Sequence, residues 1–182
     1  MPSTSPGSDD EIGTWLLRFM ADDVADGRAR METWRQRSDE TATLTGVLAD
    51  IADSGRSTDV HTTTGRSHSG RIEHVTDEAV VIGTTARHLV VLRSSVIAAV
   101  APERGFRVPG EGRASSNRSF RATVAAILEP GDDLAVTAGA VSFNGELVSV
   151  GDEILLMRGP GNRSFYIPFE AVTEISVASS SG

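Results

Sequence analysis

The chain has 182 residues, a formal net charge of −8, no cysteine, and arginine as its only basic residue besides histidine. An acidic balance of this size argues against general affinity for nucleic acid or anionic membrane, and the missing cysteines exclude disulfides and thiolate metal sites. A hydrophobic share of 39% beside 23% charged residues is that of a folded soluble protein, and no apolar run approaches the roughly 18 residues of a membrane helix.

Residues 1–8, MPSTSPGS, read as a disordered polar tail. Ser8, with Asp9, Asp10 and Glu11 behind it, then opens a helical segment over 9–38, the acids lying at the positive end of the helix dipole. Ile12, Trp15, Leu16, Phe19 and Met20 recur at helical spacing, and Met31 and Trp34 extend the apolar set, so this segment is a candidate self-association surface. Asp22, Asp23 and Asp26 disfavour a membrane-surface role.

From residue 43 a pattern is written twice. TLTGVLADIADSG and SFRATVAAILEPG each read as a short capped helix ending at glycine or Pro-Gly. Each is followed by five short runs rich in β-branched and aliphatic residues, punctuated by Gly, Asn and Asp. At a constant offset of 75 residues, Gly70 matches Gly145, Val75 matches Val150, and Asp77-Glu78 matches Asp152-Glu153. A shared offset over a whole unit signals internal duplication more strongly than any single motif. The expected organisation is a first unit over 43–101, an Arg/Gly-rich linker over 102–118 and a second unit over 119–178.

Five short antiparallel strands behind a helix suit a small closed barrel, in which closure removes the exposed edges. On the blocks GRIEHVTDEAVVI and GELVSVGDEILLM, with the closing runs VVLRSSVIAAV and YIPFEAVTEISV, each unit resembles the Sm-like (LSm/Hfq-type) family. The resemblance implies a mainly β fold of two tandem Sm-like five-stranded small barrels, each preceded by a short helix, which pair through their outer strands. It also implies RNA binding, but the base-holding Asn of that family is replaced by Ala79 to Val81 and Ile154 to Leu156. The family's basic element between strands four and five shrinks to Arg93-Ser94 in one unit and becomes Phe169-Glu170 in the other.

The linker offers the best nucleic-acid candidate. Arg104, Arg107, Arg113, Arg118 and Arg121 are interleaved with Phe106 and Phe120, and the five arginines outweigh Glu103 and Glu111 to give residues 102–121 a net +3. Such a loop could grip phosphates and stack bases, with Arg93 alongside. The opposing reading is a solvated hinge. His61, His68, His74 and His88 are expected at the surface, with no metal site. Asp77-Glu78 and Asp152-Glu153 are expected in turns, where adjacent side chains diverge too far for a catalytic dyad.

No phosphate loop, nucleophile elbow or metal motif is present in the sequence, so no enzyme, cofactor or small-molecule substrate is expected. The expectation is a cytoplasmic, non-enzymatic scaffold that forms homo-oligomers and engages a protein partner. An RNA-binding regulator using the arginine linker is the alternative.

Overall fold

The computed structural model describes residues 41–84 and 88–178, and the N-terminal segment 9–38, with all seven of its proposed self-association residues, lies outside them. Thr43 starts helix α1 (Leu44–Ser54): its hydroxyl accepts the Gly46 N–H, and Gly55 ends the helix in the left-handed region at φ 63°. Ser119 does the same for α2 (Phe120–Ile127), accepting from the Ala122 N–H.

Five strands follow each helix. After α1 come β1 (Ser57–Thr62), β2 (Ser67–Val75), β3 (Ala79–Thr84), β4 (His88–Arg93) and β5 (Ile97–Pro102). After α2 come β6 (Asp133–Ala138), β7 (Val141–Val150), β8 (Ile154–Arg158), β9 (Ser164–Pro168) and β10 (Val172–Ala178). A single 3₁₀ turn precedes both β5 and β10, at Ser94–Val96 and Phe169–Ala171.

The sheet corrects the barrel expectation. The ten strands form one open antiparallel sheet, in the order β5-β1-β2-β3-β4-β10-β6-β7-β8-β9, and not two closed five-stranded barrels. In the expected arrangement each unit would satisfy its own edges. Here the outer edge of β4 is taken by β10, in a register from Glu174 opposite Leu92 to Ala178 opposite His88. The ladder therefore runs through the middle of the chain without a break, and β5 and β9 are left at its two ends.

The sheet is nevertheless strongly curled. Arg66, in the β1–β2 turn, donates from Nη1 to Thr137 Oγ1 on β6 at 2.9 Å. Strand β6 lies four steps from β2 in the ladder, roughly 19 Å on a flat sheet, which is far more than an arginine side chain spans. Gly70 and Gly145 lie close against the backbone of the neighbouring strand. A Cβ on Gly70 would run into the carbonyl oxygen of Gly83, and one on Gly145 into that of Arg158.

Two apolar clusters hold the layers together. The first gathers Leu48 and Ile51 of α1 with Val60, Ile72, Val75, Val80, Ile82, Val90 and Leu92. The second is built on Phe120, Val124, Leu134, Val136, Leu147, Leu155, Met157 and Ile175, and it also takes in Ala79, Val81 and Val91. Strand β4 is thus buried on both faces: Val90 and Leu92 serve the first cluster while Val91 serves the second.

Candidate interaction edges of the sheet

The chemistry with most consequence lies where β4 meets β10, and at the two strands that lack such a partner. At the β4–β10 join, Arg93 closes the seam. Its guanidinium donates from Nε to the Val172 carbonyl at 3.0 Å and from Nη2 to the Phe169 carbonyl at 2.8 Å. The same group lies 4.4 Å from the centroid of the Phe120 ring, which is fully buried. Arg93, read in the sequence as a nucleic-acid contact, is therefore occupied by protein. Phe120 likewise presents no face to a base.

Acidic groups fix the two sides of the join. Glu78, in the turn between β2 and β3, accepts the Phe120 N–H at 2.9 Å and so binds the first turn of α2. Glu174 on β10 is buried at 2% exposure, and it is held by His68 Nε2 at 3.1 Å and Arg66 at 3.4 Å. His68 is accordingly drawn in against a carboxylate, where the sequence pattern placed it on the surface. His61 and His88 are exposed, and His74 reaches Ser115 Oγ at 3.0 Å.

The linker is strapped down along α1 and the first five strands. Gly110 donates its N–H to Asp50 at 2.7 Å and accepts the Thr43 N–H at 3.3 Å, which ties it across α1. Phe106 and Val108 pack on the first cluster, with the Arg56 guanidinium 4.8 Å from the Phe106 ring. Ser115 donates its N–H to the Val75 carbonyl, and Ser116 bridges to Thr76. Arg104, Arg107, Arg113 and Arg118 are exposed along this strap, whereas Arg121 is half-buried on α2 and pairs with Asp152 at 3.4 Å.

The end strands complete the site. On β5 the Glu103 N–H donates to the Ser57 carbonyl, so residues 103, 101 and 99 bond inward to β1. Val100 then directs its backbone groups outward, and Pro102 in the same phase has no N–H to offer. On β9 the Phe169 N–H donates to the Glu153 carbonyl, which sets residues 169, 167 and 165 inward to β8. Tyr166 and Ser164 direct theirs outward. Large apolar side chains lie exposed at the β9 end, where Tyr166 is 69% exposed and Ile154, opposite Pro168, 42%; Leu44 at the start of α1 is 42% exposed as well.

The sequence reading did not single out these three residues as exposed, because apolar character alone does not distinguish surface from core. No group of three or more potential metal ligands exists among the described residues, and no described helix is long and apolar enough to cross a membrane. In comparisons with known proteins, no family model matches the chain and no curated protein matches it.

Proposed function

We propose that the chain is a non-enzymatic, self-associating scaffold module whose sheet recruits further strands at its ends. The observation that carries this reading is the open ladder: among the described residues, β5 and β9 end it with outward backbone groups and no neighbouring strand. Unpaired edges are templates for another strand, and this chain already joins two five-strand runs by that means at β4 and β10. Exposed Tyr166 and Ile154 add apolar surface beside the β9 edge. The Sm-like pattern of residues 70–82 and 145–157 is compatible with an assembly role, and a cytoplasmic location belongs to the same reading.

RNA binding receives less support. Of the aromatic residues a base could stack on, Phe120 is buried beneath Arg93, and the half-buried Phe106 already lies 4.8 Å from the Arg56 guanidinium. Sedimentation velocity on the full chain over a hundredfold concentration range tests the proposal. A rise in weight-average mass with concentration is expected, and a monomer throughout overturns it. Titration of a labelled single-stranded RNA at moderate salt is expected to show no binding. Tight binding that falls steeply with salt would replace the scaffold reading by the RNA one.

A further inference from the structure

We propose that the arginine strap, completed by Arg56 from outside it, is a docking surface for a short acidic segment of a partner protein. This surface is separate from the ladder ends, so the inference goes beyond the scaffold reading and does not depend on it. Three observations carry it: the way the fold gathers the arginines, the fixed path of their backbone, and the division of charge along the chain.

The strap begins where β5 ends. The Glu103 N–H donates to the Ser57 carbonyl at 3.2 Å, which sets Arg104 close to the start of β1, and Arg56 immediately precedes Ser57. The Phe106 N–H then donates back to the Glu103 carbonyl at 3.1 Å, turning Phe106 onto the first cluster and under the Arg56 guanidinium. Arg56 and Arg104 are therefore brought to one turn, although one lies before β1 and the other after β5. The ring restrains Arg56 without giving its N–H groups an oxygen to bond. Among the described residues, ion pairs with carboxylates are made by Arg66, His68, Arg121 and Arg158, so Arg56, Arg104 and Arg113, all exposed, keep their donors for an outside group. Acids close by do not neutralise them. Asp50 is taken up by the Gly110 N–H, and Asp53 and Glu103, both exposed, make no ion pair among the described residues.

The backbone beneath these arginines is held at several points. Gly110 is bonded to both Asp50 and Thr43. Gly112 lies so close to α1 that a Cβ there would meet Asp50 Oδ1 at 2.7 Å and the Gly46 carbonyl oxygen at 2.8 Å. Arg113 thus stands between that contact and the Ser115 bond to Val75. A partner meets a line of charge already in place, and the ordering cost that a free arginine tail pays on binding is largely removed. Guanidinium groups present paired N–H donors that match a carboxylate. The sign of the remaining surface sets the size of the partner. Residues 102–121 carry a net +3, whereas residues 122–182 carry eight acidic side chains against Arg158 and Arg163. A long polyanion drawn to the strap would be repelled by the second run, while a short stretch of Asp and Glu engages the strap alone.

Fluorescence anisotropy of a short labelled peptide of alternating Asp and Ser, titrated with the full chain, tests the proposal. Binding at low salt that weakens as salt rises is expected. A protein carrying Arg56→Glu, Arg104→Glu and Arg113→Glu together is expected to bind at least about tenfold more weakly, with an unchanged circular dichroism spectrum. The same three positions changed to Gln are expected to give a smaller loss in the same direction, and Arg163→Glu, the same charge reversal on the second run, is expected to leave affinity unchanged. Absence of binding at low salt overturns the proposal. So does an equal loss in Arg163→Glu, which would mean that only net charge matters. Tighter binding of a single-stranded RNA of equal charge, lost in the triple variant, would assign the surface to nucleic acid instead. A change in self-association in the triple variant would show that the strap meets another copy, and would overturn the assignment as well. Peptide binding by a chain that stays monomeric would sink the scaffold reading alone, and self-association without peptide binding would sink this one alone.

Discussion

The runs β1–β5 and β6–β10 follow the same strand order, carry the same crowded glycine and begin from the same kind of capped helix, yet their fourth strands have opposite fates. Strand β4, HLVVLR, has three buried residues in succession and a neighbour on each side. Strand β9, SFYIP, has one buried residue, an exposed tyrosine and a proline at its end. The difference shows that burial on the second face of a strand depends on which strand lies beside it, and that local sequence records only part of that choice. Aliphatic residues mark the permanent seam, while an amphipathic tyrosine and flanking prolines mark an edge that must also tolerate water.

Substitutions at equivalent positions can break or sharpen this contrast. The largest effect is expected from Phe120→Ala, which empties a fully buried ring site and removes the surface under Arg93. A loss of about 3–5 kcal/mol in urea denaturation is expected, against less than about 0.5 kcal/mol for Leu44→Ala at the equivalent, half-exposed position at concentrations where the chain is monomeric. Equal losses from the two would show that the helices have the same environment and remove the contrast. Next come Gly70→Ala and Gly145→Ala. Each pushes a methyl group into a backbone carbonyl of the neighbouring strand, so each is expected to cost about 1–3 kcal/mol, with the two values alike. A large cost at one glycine alone would mean that only one run holds its neighbouring strand this closely. The smallest effect is expected at the helix starts. Glu78→Gln weakens the charge at the first turn of α2 and is expected to lower stability by about 0.3–1 kcal/mol, an effect reduced by salt. Glu153→Gln is expected to leave monomer stability unchanged.

Much of the local structure was legible in the sequence. Thr43 and Ser119 announced two helix starts, and both hydroxyls accept the expected backbone N–H. The shared 75-residue offset placed Gly70 and Gly145 at matching points of β2 and β7, as found. The path of the ladder was not legible. Whether HLVVLR closes onto its own run or joins another is decided by pairing with β10, some 80 residues away, and apolar content is the same in either case. The packing of the linker was hidden for a related reason. Arginines beside phenylalanines read as a surface for RNA, but Arg93 reaches Phe120 and Arg56 reaches Phe106 only across the folded chain. Leu44, Ile154 and Tyr166 were invisible as surface residues because exposure is a property of neighbours, and composition does not encode it.

The strap between the two runs also governs how they come together. With Gly110 tied to Asp50 and Ser116 bridged to Thr76, a tether of two residues separates that bridge from the Ser119 cap of α2. So short a leash holds the second run at a high effective concentration beside its own β4, while another molecule's β4 lies out of its reach. Exchange of runs between chains is thereby suppressed.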